Sequence, residues 1–325
     1  MDIYNLTTMT QFILIGLSDL PEVVHAVLFL LIYLVAIVEN LVIILLTILD
    51  QRLHTPMYFF LRQLSFLDMC LISATVPKSI LNCITFTNSI SFLGCVLQVF
   101  LVVLMSGSEI GILTAMSYDR YIAICRPLHY EAVMSKEVCV QLVLVSWLSG
   151  GALGILYSTG TFSLNFCGST KIHQLFCDVP ALLKLTCSVK HVTINVSVAI
   201  GVCYGFSCLV CIVVSYVCIF STVLKIPTRQ KQCKAFSTCL PHLIVVSAFL
   251  LAGAIAYLKP TSDEPSLPDL LTSMFYSVVP PTLNPVIYCM RSKDIKSYPR
   301  FYTYVLFFPL YSFCFSISDG NFIIF

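Results

Sequence analysis

The sequence predicts an all-α membrane protein, a seven-transmembrane helix bundle with an extracellular N-terminus. Three observations predict it. The chain of 325 residues is 58% hydrophobic and 10% charged, with a mean hydropathy of +0.93. A soluble domain of that size is roughly a quarter charged. Apolar segments of about 20 residues, the length that crosses a ~30 Å hydrocarbon core as a helix, recur along the chain. The Lys and Arg residues, finally, sort to one side of those segments.

Seven candidate spans follow in order, at 24–48, 58–79, 93–119, 139–160, 195–224, 235–258 and 268–290. They divide the chain into an extracellular N-terminal tail (1–23), a seven-span domain (24–290), a short basic amphipathic helix on the membrane surface (291–300) and an aromatic C-terminal tail (301–325). No repeat of 20–50 residues is visible, which argues against a solenoid or a duplicated transporter. The opening MDIYNLTTMTQ has no basic run, and no apolar run of signal-peptide length precedes the first span. The first span is therefore expected to direct insertion. Neither a myristoylation motif nor a CaaX box is present.

Orientation follows from charge. With the N-terminus outside, the cytoplasmic side holds Arg52, Arg62, Arg120, Arg126, Lys136, Lys225, Arg229, Lys231, Lys234, Arg291, Lys293, Lys296 and Arg300, thirteen of the 18 basic residues. The outer side keeps Lys78, Lys171, Lys184, Lys190 and Lys259, so the bias satisfies the positive-inside rule. Asn5-Leu6-Thr7 is a glycosylation sequon on the predicted outer tail. A second match, Asn195-Val196-Ser197, falls at or inside a span and reads as incidental. Cys167, Cys177 and Cys187 lie in the loop 161–194, with Cys95 at the outer mouth of the third span. Disulfides persist on that oxidising side, and four cysteines allow three pairings.

Charged residues within a membrane are costly, so each requires a reason. At 1.5 Å per residue, Asp68 lies about 15 Å and Glu109 roughly 16 Å in from the cytoplasmic side. Glu39 and Asn40 fall at similar depth, and Asn284, beside Pro285, is expected somewhat shallower. Such a layer either hydrogen-bonds helices together or places Asp68 and Glu109 face to face around a cation or a shared proton. Two acids at one depth cannot both stay charged without a counter-ion. Pro285 removes a backbone donor, and Asn284 is expected to bond the freed carbonyls. The weakened helix serves as a hinge or as a static kink.

Asp119 and Arg120 end the third span. Helix neighbours point about 100° apart, so Arg120 can reach another helix while Asp119 faces loop or water; the pair anchors the helix or acts as a switch. The surrounding Met116-Ser117-Tyr118-Asp119-Arg120-Tyr121-Ile122-Ala123-Ile124-Cys125 resembles the signature of olfactory receptors, in the rhodopsin-like (class A) G-protein-coupled receptor family. Pro56-Met57-Tyr58-Phe59-Phe60-Leu61 and Leu64-Ser65-Phe66-Leu67-Asp68 resemble its second-span motif. Ser215-Tyr216, Lys234-Ala235-Phe236-Ser237-Thr238-Cys239 and Pro281-Thr282-Leu283-Asn284-Pro285-Val286-Ile287-Tyr288 resemble its fifth-, sixth- and seventh-span motifs.

The resemblance implies roles. Asp119, Arg120 and Tyr121 would form a G-protein switch that latches the third and sixth helices. On activation Arg120 would turn toward Tyr216 and Tyr288. Asn40, Asp68, Glu109, Asn284 and Pro285 would form an ion-linked polar core, with a bound sodium ion at Asp68 and Glu109 as the one implied cofactor. Cys95 would pair with Cys177, and Cys167 with Cys187. A pocket for a small volatile odorant would be lined by Val99, Val102, Val103, Ser106, Gly107, Gly201, Tyr204, Gly253, Ala254, Tyr257, Met274 and Ser277. At each of these positions ordinary packing competes with ligand contact. The implied partners are the odorant, membrane lipid and a stimulatory, olfactory-type G protein raising cyclic AMP, at the plasma membrane; nucleic acid is not among them.

Three departures stand out. Glu39 sits where the family commonly has glycine, and Phe249-Leu250-Leu251 where many members have Phe-Tyr-Gly. After Arg300 the last 25 residues hold ten aromatics and no Lys or Arg. They read as an aromatic segment at the interface or a marginal eighth span, and the abrupt change resembles a replaced terminus. A retinal-type Schiff-base lysine is missing from 268–290, and no protease motif accompanies the buried acids, so the chain is not expected to be an enzyme. The rival readings are a receptor of the same class for a non-odorant small ligand, and a non-signalling relic disabled by its tail.

Overall fold

The computed structural model describes residues 11–14, 22–85, 87–166, 171–172, 174–187, 192–258 and 277–288. In chain order these form β1 (Gln11–Leu14), α1 (Glu22–Leu49), α2 (Pro56–Thr85), β2 (Ser89–Ser91), α3 (Phe92–Cys125), α4 (Tyr130–Val133), α5 (Lys136–Phe162), β3 (Lys171–Ile172), α6 (Val179–Leu183), α7 (Val192–Leu224), α8 (Arg229–Leu258) and α9 (277–288). Six of them, α1, α2, α3, α5, α7 and α8, are long and apolar enough to cross a membrane. α9 lies within the seventh predicted span. Asn5, Cys167, Met274, the surface helix 291–300 and the tail 301–325 lie outside the described residues.

Local chemistry sets several helix ends. The Ser91 hydroxyl accepts from the Gly94 amide at 3.1 Å and opens α3, and Ser135 does the same for Val138 at 3.4 Å in α5. These are N-caps, each filling one of the four orphan donors of a helix start. Pro56 opens α2, where its missing amide proton is not needed. Pro77 and Pro241 sit inside α2 and α8, as membrane helices tolerate when neighbours re-satisfy the freed groups.

The burial pattern inverts that of a soluble bundle. Large apolar side chains such as Leu34, Val145, Leu148, Val213 and Val217 are exposed, while Asn40, Asp68, Ser108, Glu109, Ser117 and Asp119 are fully or almost fully buried. Lipid is the solvent for the first set, and only protein can satisfy the second.

α3 is the hub, packed against α2, α5, α7 and α8. Its seam with α5 is built from small residues. A Cβ at Gly107 would stand 3.1 Å from the Gly150 Cα, and one at Gly150 would collide with the Ser108 hydroxyl and the Leu104 carbonyl. At Gly154 the same atom would stand 3.0 Å from the Phe100 carbonyl oxygen. Close backbone approach of this kind lets van der Waals packing associate helices in lipid, where no hydrophobic force does so.

At one end of the bundle the three strands form a sheet in the order β2-β1-β3. β1 runs antiparallel to β2, with Gln11 opposite Ser91 and Ile13 opposite Ser89, and parallel to β3, with Ile13 opposite Lys171. Phe12 is fully buried, its ring 6.2 Å from Phe92 and 5.6 Å from Phe166. The Cys95–Cys177 disulfide, with Cα atoms 5.5 Å apart, ties the start of α3 to the segment before α6, the pairing that the resemblance implied. Cys187 is also disulfide-bonded. The N-terminal segment is therefore more than a tail, since four of its residues make the central strand of this sheet.

The α3–α5 seam makes a sharp prediction. Gly150→Leu should abolish surface display and folded yield, since overpacking against backbone costs about 1–3 kcal/mol or more. Gly151→Leu is the control: nothing lies within 4 Å of its Cβ, and yield, measured by fluorescence-detected size exclusion, should stay at the native level.

Candidate functional site

A carboxylate layer occupies the middle of the bundle. Asp68 on α2 and Glu109 on α3 are 0% and 1% exposed. The Asn284 amide on α9 donates to Asp68 Oδ2 at 3.0 Å and Oδ1 at 3.2 Å, and to Glu109 Oε1 at 3.2 Å. Asn284 therefore shares the depth of both acids and is not shallower than they are. An amide nitrogen carries two protons, whereas two carboxylates offer about eight lone-pair sites. Among the described residues, neither acid has a salt bridge to a basic side chain. The layer can thus hold helices together only while a proton or a cation offsets its negative charge.

Asn40 completes the layer in an unexpected way. Pro285 has no amide proton to give to the carbonyl one turn back, which is that of Pro281. That oxygen accepts instead from Asn40 Nδ2 of α1 at 2.8 Å, and the same amide also reaches Ala36 O at 2.9 Å. Asn284, expected to make this repair from its place beside Pro285, does not make it, because its amide is committed to the two acids. Glu39 is buried beside Asn40, and its Oε2 has no hydrogen-bond partner among the described residues.

Towards the end of the bundle opposite the sheet, Arg120 Nε donates to Asp119 Oδ2 at 3.0 Å, and the Tyr130 hydroxyl of α4 donates to Asp119 Oδ1 at 2.7 Å. Asp119 is fully buried, so it faces a loop helix and not water. Burial, together with the adjacent Asp119 charge, pushes the Tyr130 phenol up from its usual range, which keeps it a donor. The ion pair itself stays within α3 and does not cross to α8. The crossing is made by His242, a residue the sequence reading did not single out.

His242 Nε2 lies 2.8 Å from Leu113 O, and Nδ1 lies 2.8 Å from the Tyr216 hydroxyl, with the two rings stacked at 5.7 Å. A carbonyl can only accept, so Nε2 carries the proton; in the neutral ring Nδ1 then accepts from Tyr216. One imidazole thereby joins α8 to α3 and α7. The only sequence signal was a lone histidine beside Pro241 within an apolar span. Tyr288 is buried, and its hydroxyl has no hydrogen-bond partner among the described residues. Tyr121 is half-buried against Tyr118, their rings 6.3 Å apart.

The expected pocket positions divide. Gly107 sits in the α3–α5 seam, its carbonyl accepting from the Tyr204 hydroxyl at 3.1 Å, and Tyr204 also accepts from Ser149 at 3.0 Å. Gly201 seats the Tyr157 ring. These two glycines accommodate side chains of the protein itself. Val99 belongs to the cluster under the sheet, with Val103 packed against it, and Val102 packs on the larger core. Ser106 and Gly253 are half-buried, Ala254 exposed and Ser277 buried; the Tyr257 side chain, like Met274, lies outside the described residues.

This architecture is shared with known receptors. A crystal structure of squid rhodopsin superposes with a TM-score of 0.64 at 18% identity, covering 94% of this chain and 90% of that one. The chain thus has the fold of the rhodopsin-like, G-protein-coupled receptors, a class of receptors and not of enzymes. The olfactory receptor family profile matches residues 29–300, ending where the aromatic tail begins. Human olfactory receptor 14K1 is 71% identical over 295 residues, 90% of this chain and 94% of the relative, and human olfactory receptor 14A16 is 53% identical over 294 residues, 90% and 95%. The chain belongs to the olfactory receptor family.

The polar layer predicts opposite effects for adjacent residues. Asn40→Leu strands the Pro281 carbonyl and should lower the thermal midpoint of the purified receptor, a loss of about 1–3 kcal/mol. Glu39→Leu removes an unpartnered oxygen and should leave the midpoint equal or higher. A comparable fall in both would refute this assignment of partners.

Proposed function

We propose that this receptor detects small volatile odorants in an apolar transmembrane pocket and activates a stimulatory, olfactory-type G protein that raises cyclic AMP. The observation carrying the switch reading is that His242 of α8 bonds both the Tyr216 hydroxyl of α7 and the Leu113 carbonyl of α3, the helix that carries Arg120 seven residues further on. In this reading the N-terminus, with Asn5 glycosylated, is outside, the chain works in the plasma membrane, and the Arg120 end faces the G protein. Displacement of α8 breaks both bonds of His242. The Tyr216 hydroxyl is then released, and Arg120 finds acceptors in Tyr216 and in Tyr288, whose hydroxyl has none at rest. The outer-half positions Val102, Val103 and Ser106 on α3 supply an apolar wall with one hydroxyl, the composition suited to a small, mostly apolar ligand.

In the same reading Asp68 and Glu109 hold a sodium ion in the resting state. The site fits one: two buried carboxylates with one amide as their hydrogen-bond donor form an all-oxygen, negatively charged donor set, which suits a hard cation. When bound, the ion supplies the missing positive charge, and Asn284 orients both acids toward it. Loss of the ion would release α9 at Pro285.

Two measurements test this. Cells sorted for surface display should raise cyclic AMP to at least one member of a broad volatile panel, and Arg120→Ala at matched display should lose at least tenfold of the response. An equal response would sink the switch role, and silence despite display would favour a non-odorant ligand or a disabled receptor. Separately, exchanging sodium for N-methylglucamine at constant ionic strength should lower the thermal midpoint of the native protein. It should not do so for Asp68→Asn, and identical sodium responses in the two would refute the ion site.

A further inference from the structure

Gln98 sits three residues after Cys95 on α3, so the two side chains leave the same face of that helix. Both residues are buried, at 4% and 0% exposure. Gln98 Oε1 accepts from the backbone amide of Cys177 at 2.8 Å, and Gln98 Nε2 donates to the Ala74 carbonyl of α2 at 2.8 Å. A backbone amide only donates and a carbonyl only accepts, so the two partners fix which end of the carboxamide faces which. One side chain thus grips the main chain of the cysteine bonded to Cys95, and is itself held from a second helix.

The same segment is fastened a second time by the Ser79 hydroxyl of α2, which donates to Leu175 O at 2.8 Å, two residues before Cys177. Cys187, which is also disulfide-bonded, is positioned differently. Its amide donates to Asn165 O at 3.1 Å, and Thr186 stands opposite Phe166 in an antiparallel bridge. That placement is made by main chain on both sides and asks for no particular side chain. At Cys177 the grip comes from a side chain on the helix that carries Cys95. The loop offers Cys95 three thiols of equal chemistry, Cys167, Cys177 and Cys187, so something other than reactivity has to choose among them.

We propose that Gln98 is the positioning residue that selects Cys177 as the partner of Cys95, and that it keeps Cys177 in place when the bond between them is open. The Gln98–Cys177 hydrogen bond forms only where Cys177 stands beside Cys95, so its free energy favours that pairing over the other two. It is made through the main-chain amide and involves no sulfur atom, so it survives reduction. Glutathione opens the disulfide in two steps. The thiolate of one molecule attacks, forming a mixed disulfide with one cysteine and freeing the other as a thiol. A second thiolate then displaces the first molecule as glutathione disulfide, and both cysteines are thiols, reduced by two electrons. Gln98 still holds Cys177 against α3, which keeps the two thiols at high effective concentration and lets the reverse reaction restore the same bond. This role concerns the sheet end of the bundle and rests on no part of the signalling reading.

The test equilibrates the full chain, purified in detergent, with a series of reduced and oxidised glutathione mixtures, then alkylates free thiols and quantifies linked peptides by mass spectrometry. Gln98→Met keeps the side-chain volume and loses both hydrogen bonds. Its Cys95–Cys177 bond should be half open at a ratio of squared glutathione to glutathione disulfide about fivefold lower than the native chain requires, the weight of one ordinary hydrogen bond. Peptides joining Cys95 to Cys167 or Cys187 should appear in that variant and not in the native chain. Ser79→Ala removes the neighbouring bond to Leu175 and should leave the pairing unchanged and the midpoint within about twofold of native. A native midpoint or exclusively native pairing in Gln98→Met, or an equal loss in Ser79→Ala, would overturn the proposal. If Gln98→Met fails to fold, hydrogen exchange on the native chain decides the matter. The Cys177 amide should stay protected after reduction of the disulfide, and exchange at the rate of an open loop would refute the grip.

Discussion

Everything in the centre of this receptor turns on one side-chain amide placed between two carboxylates. In water, Asn284 would gain little by bonding Asp68 and Glu109, because solvent offers the same bonds. Inside a bilayer there is no such competitor, and among the described residues the bond that fixes α9 against α2 and α3 is the one hydrogen-bond source those acids have. It is incomplete by construction, since an amide donates hydrogen bonds but neutralises no charge. The result is a junction that is strong when the charge is offset and unfavourable when it is not. Such a junction is a natural place for a receptor to keep two nearly balanced arrangements.

α3 connects this junction to the rest. Along a single helix lie the disulfide at Cys95, the close-packed Gly107 and Ser108, the Glu109 carboxylate, the Leu113 carbonyl that His242 grips, and Arg120. The glycine seam with α5 leaves this helix little room to shift, so motion is directed to its looser neighbours. α8 is the neighbour held to α3 by a histidine and not by a seam, and α9 is held by an amide beside a proline. The parts bound by polar contacts are those that the switch reading sets in motion, while the parts bound by backbone contact stay still.

Much of this was legible in the sequence, and the exceptions share a cause. Spans are visible because hydropathy is a local sum, and the acids stand out because each violates it. The Cys95–Cys177 pairing was implied by resemblance, while spacing alone left three possibilities open. What could not be read were relations between distant residues. Asn40 repairs a defect at Pro285 in another helix, and nothing near residue 40 announces it. Gly107 was a pocket position only by family resemblance, with ordinary packing as the alternative, and only the structure shows it packed against Gly150. His242 and Tyr130 owe their importance to a carbonyl and a carboxylate brought to them by other helices. The strand at Gln11–Leu14 is too short for its alternation to be distinguished from a tail.

That strand bears on how the chain is made. A parallel pair cannot be closed by a tight turn, so Ile13, made before Lys171, waits for it before its ladder is complete. Four of the long helices must be synthesised and threaded into the bilayer in the meantime. Until then the strand carries open edges, which are templates for wrong partners, and the buried ring of Phe12 has no site to enter. A segment made before these four helices is thus settled only after them, and its sheet records that α1, α2, α3 and α5 have been brought together.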